Sequence, residues 1–276
     1  VIEVSPDCYA SVVPGLIHVD LNHGFARAVV QGLVAGRVWV DQKPAARVAH
    51  AWHPYGMSLV WGDELGLAIG TITEHLRAGF YRTQDEWLQI DPRWEHLDWD
   101  TLLDATPGDG AQESASSKAQ RYSRVNFRFD PKAFEYRRKQ AMPPPGWRVR
   151  PMSAQEFNLP GIGVTPKAFW RDAAQFLAHG GGWCAECDGE VGAIAFSSFR
   201  FDNTLEIGIE TLAAYRGRGL ALAVAVAMIR EILDAGIEPV WSCRKENTPS
   251  LELARRLGFS ATKVFPYYRL SPPDRR

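Results

Sequence analysis

The chain has 276 residues, 46% of them apolar and 23% charged, with a formal net charge of -1. That size and composition suit a globular protein with room for two cores. Near-neutrality excludes a global pull toward nucleic acid or acidic membranes. No apolar run approaches the roughly 18 residues of a membrane span, and residues 1–10 lack a basic-then-apolar leader pattern. The expected compartment is the cytoplasm.

In the first half, short strands are expected at 37–40, 47–51 and 58–61, helical pieces at 70–78 and 98–104, and a longer strand at 122–129. Seven of the ten tryptophans precede residue 148. Trp39, Trp52, Trp61, Trp87, Trp94 and Trp99 could line a substrate wall, but aromatic residues in that number mostly build cores, which is the favoured reading. His50 with His53, or His18 with Asp20 and His23, resemble ligand sets, yet they sit among turns and strands without a third ligand at metal spacing. The tract 106–118 is small, polar and aperiodic, hence a loop. Its Ser114, Ser116 and Ser117 lack the glycines of a nucleophile elbow. Met142-Pro143-Pro144-Pro145-Gly146 marks the stronger boundary, since three prolines join neither a helix nor a central strand. The expected domains are 1–145 and 146–276.

In the second half, 147–150 reads as a strand, and Ser153 with Glu156 has capping-box spacing. Thr165-Pro166 opens a helix expected to reach Gly180. Strands 183–188 and 191–200 flank Gly189 as an antiparallel hairpin. Cys184 and Cys187 fall on the first of these strands, where residues three apart point to opposite faces, and no second pair exists. No metal site is expected there. Four cysteines in a chain this long also argue against a disulfide scaffold. A strand at 205–211, a buried helix at 220–235, a strand at 238–243, an amphipathic helix from Pro249 to Gly258 and a last strand at 264–270 complete a mixed α/β order.

The most informative stretch is Arg216-Gly217-Arg218-Gly219-Leu220-Ala221, between the strand 205–211 and the helix that follows. Two glycines permit a tight turn whose amides converge on an anion at the helix start, and two arginines add charge. Neither a P-loop nor a dinucleotide fingerprint fits the spacing. The stretch resembles the signature of the GNAT acyl-CoA N-acyltransferases: Arg or Gln, two residues, Gly, one residue, then Gly or Ala. Asn247-Thr248-Pro249-Ser250, with a helix ending in Gly258-Phe259, resembles that superfamily's next helix. Glu210-Thr211 and Pro239-Val240-Trp241 are similar to the subfamily that includes the zwittermicin-resistance acetyltransferase. The motifs cover about residues 147–270.

The resemblance implies an α/β (α+β) fold: a mostly antiparallel, splayed sheet flanked by helices, preceded by a smaller α/β domain, itself a degenerate relative facing the substrate. It implies an N-acetyltransferase moving an acetyl group from acetyl-CoA directly to a small amine, antibiotic-like in the subfamily, with no metal. The implied coenzyme site comprises Thr211, Leu212, Arg216, Gly217, Arg218, Gly219, Leu220, Ala221, Asn247 and Ser250, with the acyl carbonyl held at the backbone of Thr211. Glu206 and Glu210, on one strand face, are the candidate bases. The alternative is that Glu210 orders the arginine loop while Glu206 faces solvent. Thr211 would lie on the opposite face, with Leu205 and Ile207, unless a bulge shifts the register. Many relatives place an acid tyrosine where this chain has Ala254; Ser250, Cys243, Tyr267, Tyr268 or water are the substitutes. That departure leaves two rivals open, a non-catalytic acyl-CoA sensor or interaction module and a peptide or protein N-acetyltransferase. Expected partners are acetyl-CoA and a small amine, with no nucleic acid or membrane, in a monomer or homodimer.

Overall fold

A computed structural model describes residues 1–108, 118–138 and 141–273. The chain forms two compact units of similar size. The first comprises 1–125, 244–246 and the stretch from 264 onward; the second comprises 126–243 and 247–263.

In the first unit, β1 (Ile2–Val4), β2 (Arg37–Val40), β3 (Val48–Trp52) and β4 (Met57–Gly62) pair antiparallel in sequence order, with short helices α1 (Val13–Leu16) and α2 (Gly24–Val30) between β1 and β2. Helix α3 (Leu65–Ala78) carries the chain from β4 to β5 (Glu86–Ile90), which pairs parallel to β4. Leu65, Ala68, Ile72 and Leu76 recur at helical spacing and pack in one cluster with Val48, Val60 and Leu88. Burying each larger side chain stabilises by about 1.5–3 kcal/mol. Gly79, at φ 58, ends the helix in the left-handed conformation that glycine adopts without a Cβ penalty. Helix α4 (Trp99–Leu103) and strands β6 (Ala105–Pro107) and β7 (Ala119–Phe129) follow, β6 parallel to β7.

Helix α5 (Pro131–Arg137) precedes the second unit's five-stranded sheet, of order β12-β11-β10-β9-β8. Its strands are β8 (Arg148–Pro151), β9 (Gly182–Cys187), β10 (Glu190–Phe201), β11 (Thr204–Thr211) and β12 (Glu238–Val240). The first four pair antiparallel; β11 and β12 are parallel, joined through α7 (Leu220–Asp234). Asp188 (φ 51) and Gly189 (φ 83) supply the two left-handed residues of the β9–β10 turn. Helix α7 buries nine residues, among them Leu220, Val224, Met228 and Ile232, as its nearly continuous apolar surface requires. Short β13 (Ser242–Arg244), α8 (Thr248–Arg256) and β14 (Phe259–Leu270) end the chain. In the first unit the end of β14 pairs antiparallel with β5, Tyr268 opposite Leu88.

Three expectations change in detail. The helix expected from Thr165 to Gly180 is a 3-10 turn (Pro166–Ala168) followed by α6 (Ala173–His179), because Asp172 accepts from the Gln175 amide and caps a new start. The single strand expected at 238–243 breaks at Trp241, whose carbonyl accepts from the Phe127 amide. The last strand begins at Phe259 rather than Val264. The proline run at 142–146 lies in chain belonging to the second unit. Residues 109–117, which include Ser114, Ser116 and Ser117, fall outside the described residues. Trp39, Trp61, Trp94 and Trp99 are buried core. Among the described residues, no helix is long and apolar enough to cross a membrane.

Candidate active site

Strand β11 is paired unequally along its length. Against β10 its register runs from Thr204–Phe201 to Thr211–Ala193. Against β12 it covers only Thr204, Leu205 and Glu206. Past Val240 the chain turns away at Trp241, so none of the described pairings covers 207–211 on that edge. The Leu212 N–H donates to Gly192 O at 2.9 Å, on the β10 side. Alternation therefore directs the N–H and C=O of Thr211 and Ile209 to the opposite, open edge. An extended chain with its own amides could pair there as a further strand.

In the β10–β11 ladder the register shift lies in β10, between Ser197 and Phe199, so β11 itself stays regular. Glu206, Gly208 and Glu210 thus share one face, and Leu205, Ile207 and Thr211 the other. Gly208 is small because a Cβ there would meet the Phe196 ring at 2.5 Å. Glu206 accepts from Ser242 Oγ at 2.6 Å, at the point where the parallel pairing ends. Glu210 accepts from the Thr211 N–H at 3.2 Å and lies 3.5 Å from the Arg216 guanidinium, whose Nε donates to Thr211 O at 3.2 Å. It is therefore tied to the arginine loop, whereas Glu206 is tied to Ser242 of β13.

After a 3-10 turn (Ala213–Tyr215), Gly217 (φ 76) and Gly219 (φ 83) both occupy left-handed conformations, and a Cβ on either would meet nothing within 4 Å. The chain approaches α7 through open space. Gly219 is the N-cap, no side chain caps the helix, and its first turn holds no acid. The leading amides, at Leu220, Ala221 and Leu222, thus lack side-chain acceptors, and the helix dipole adds to their pull on an anion. Arg216 is mostly exposed. Arg218 rests its guanidinium 5.2 Å above the Tyr215 ring, whose hydroxyl donates to Glu190.

Asn247 caps α8 by accepting from the Ser250 amide at 3.3 Å, and Ser250 Oγ accepts from Trp241 Nε1 at 3.2 Å. Trp241, fully buried where β12 gives way to β13, thus joins the open fork of the sheet to the start of α8. Ser242 did not stand out in the sequence, and Trp241 did so only within the Pro239-Val240-Trp241 resemblance, because each acts through the strand break. Ala254 is completely buried and offers no proton. Of the suggested substitutes, Tyr268 donates to Asp100 at 2.8 Å within the first unit, and burial and that carboxylate push its phenol well up. Tyr267 and Cys243 are buried.

The pairs read as unlikely metal ligands are engaged otherwise. Cys184 is buried, which pushes its thiol up to about 11, and Cys187 sits beside Asp188. His50 contacts His75 at 3.2 Å and Glu86 at 2.9 Å, one ring nitrogen to each, and Tyr81 donates to Glu86 at 2.6 Å. Among the described residues no group of His, Cys, Asp or Glu is arranged to hold a metal ion.

A strand that loses its neighbour just before an uncapped, glycine-led helix offers an extended arm a free edge and an anion a row of amides. The chain belongs to the GNAT acetyltransferase family, whose profile matches residues 20–268. It is 25% identical over 252 residues to an uncharacterized N-acetyltransferase, YdfB, of Bacillus subtilis (strain 168), across 88% of this chain and 89% of that protein. A GCN5-related N-acetyltransferase-like protein from Streptococcus suis superposes with a TM-score of 0.65 at 20% identity, over 96% of this chain and 98% of that one. A tandem GNAT protein from the clavulanic acid biosynthesis pathway gives 0.61 at 11%, over 98% and 94%. Those two structures share the fold.

Proposed function

We propose that the protein transfers an acetyl group from acetyl-CoA directly to the amine of a small molecule, as in the subfamily that includes the zwittermicin-resistance acetyltransferase. The observation that carries this reading is the open edge of β11 over 207–211, leading straight into the uncapped start of α7. Acetyl-CoA, when bound, supplies an activated acyl carbon on a good leaving group. The amides of Leu220 to Leu222, with Arg216 and Arg218, hold its diphosphate. The N–H and C=O groups of Ile209 on the open edge pair with its extended arm, and the Thr211 N–H, released from Glu210, steadies the acyl oxygen. Asn247 and Ser250 flank that arm from α8.

Glu206 takes the proton from the ammonium, with Ser242 orienting the carboxylate. The freed amine forms the new C–N bond as the C–S bond breaks. Water relays the second nitrogen proton, lost as the amide forms, to the leaving thiolate, since Ala254 provides no acid. The first domain is read as a degenerate copy of the same fold. Its strand, helix and parallel-strand order from β4 through α3 to β5 repeats that of β11, α7 and β12.

Free thiol released from acetyl-CoA, measured against a panel of small amines and amino-terminal peptides, tests the assignment. Release that depends on a small amine supports it, and release only with peptides would move the acceptor to a protein. The buried Ala254 favours one second reading, an acyl-CoA sensor: tight acetyl-CoA binding with no amine-dependent release across the panel would establish it.

A further inference from the structure

One face of the first unit's sheet is rich in arginine and aromatic rings and poor in carboxylates. Trp87 on β5 stacks on Tyr267 of β14, with centroids 5.1 Å apart, and packs 5.4 Å from Tyr122 of β7. The Arg244 guanidinium lies over both Trp87 (4.7 Å) and Tyr122 (5.6 Å). Arg124, two residues after Tyr122, lies 5.4 Å over Tyr267. Arg269, opposite Trp87 in the register, is paired with Asp85 at 3.3 Å.

Arg244 is the informative member. A guanidinium that stacks on rings uses its flat face and leaves its in-plane N–H donors free. Among the described residues no hydrogen-bond acceptor or carboxylate meets those donors, while the half-buried seat keeps the group in place. Trp87 and Arg244 keep partial exposure, which leaves the face open to solvent.

We propose that this face binds an organic anion, a carboxylate or phosphate that docks edge-on against Arg244. The rings hold the cation rigid and partly dry, which strengthens its charge-assisted hydrogen bonds. The site concerns the first unit and does not depend on acyl transfer, so its failure and the failure of the acetyltransferase reading are separate results.

Calorimetry on the full chain with phenylacetate, phenyl phosphate and the neutral phenylacetamide tests it. At least one anion should bind saturably, more tightly than phenylacetamide, and more weakly as salt is raised. Whichever anion binds identifies the headgroup. Arg244→Gln should weaken that anion by about tenfold or more, corresponding to about 1.4 kcal/mol. Arg244→Lys, which keeps the charge but loses the planar fork, should fall between the two and serves if the glutamine variant does not fold. Equal binding of all three compounds, no saturable binding at millimolar concentration, or wild-type affinity in the folded variants would overturn the proposal.

Discussion

The two units contain the same piece of architecture with opposite outcomes. In each, a strand passes through a turn into a long helix and returns as a parallel strand: β4, α3, β5 in the first, β11, α7, β12 in the second. In the first, the parallel ladder runs from Met57–Trp87 to Val60–Ile90 and is extended by the Asp91 amide donating to Val60 O at 2.9 Å. The turn is closed as well. A Cβ on Gly62 would fall 2.1 Å from Arg47 O, and Asp63 is held by Arg93 at 2.9 Å. In the second, the ladder stops at Glu206 and the glycines of the turn face empty space. One topology therefore yields a closed strand edge or an open one, according to whether the neighbouring ladder continues past the middle of the strand.

The largest effect should come at the residue where the second ladder stops. Glu206→Gln keeps the shape and the Ser242 hydrogen bond but removes the proton acceptor, so kcat on an identified amine should fall by roughly 10²–10⁴-fold. Acetyl-CoA affinity should be unchanged. Glu210→Gln should instead raise the KM for acetyl-CoA, because it loosens Arg216. Full turnover in Glu206→Gln would remove the base from that face.

Gly219→Val puts a branched side chain at φ 83, where it is strained by about 1–2 kcal/mol, and into the space in front of the α7 amides. Coenzyme A affinity by calorimetry should drop on the order of 100-fold, or about 2.7 kcal/mol. The wild-type stoichiometry should be one per chain, since only one of the two turns is open. Unchanged affinity in a folded Gly219→Val protein would detach the cradle from the coenzyme.

The first unit should also differ in its response to acid. Burial lowers the His53 imidazole to about 3, and its Nδ1 accepts from the Tyr55 amide at 3.1 Å. His75 is likewise lowered to about 3, by burial and then by His50. Below the unfolded value of about 6.5 the unfolded chain takes up these protons and the folded unit does not. Stability present above that pH is therefore lost as pH falls from about 6.5 toward 3, at about 1.4 kcal/mol per pH unit per histidine. His53→Asn, which retains an acceptor for the Tyr55 amide, should flatten the dependence of unfolding free energy on pH by about one proton. An unchanged slope would mean that His53 is not held neutral.

What the sequence disclosed follows the range of each interaction. The arginine loop, the capping box at Ser153 and Glu156 and the two-residue turn at Asp188-Gly189 are local, so residue type and spacing identify them. So does the strand parity that puts Glu206 and Glu210 on one face. The break at Trp241 was not legible, because Phe127 and Ser250, distant in sequence, create it. β5 was missed for a related reason: Glu86-Trp87-Leu88-Gln89-Ile90 places a charge and an amide at fully buried positions, which only His50, Arg82 and Tyr81 explain for the glutamate. Trp39, Trp61, Trp94 and Trp99 are core as their number suggested, whereas Trp52 and Trp87 keep partial exposure that neither number nor spacing disclosed.

The smallest effect is the most pointed test of the comparison. If the acids ahead of α3 were all that kept a coenzyme from the first unit, neutralising them would open a second site. Asp63 and Glu64 are largely exposed, and the Asp63–Arg93 pair is a surface one, so Asp63→Asn with Glu64→Gln should cost at most about 0.2–1 kcal/mol of stability. The β4–β5 ladder would remain paired and Gly62 would remain packed on Arg47, leaving no free edge for an extended arm. Coenzyme A should therefore still bind once per chain, with wild-type affinity. A stoichiometry of two would mean that charge at the helix start, and not the covered strand edge, separates the silent turn from the binding one.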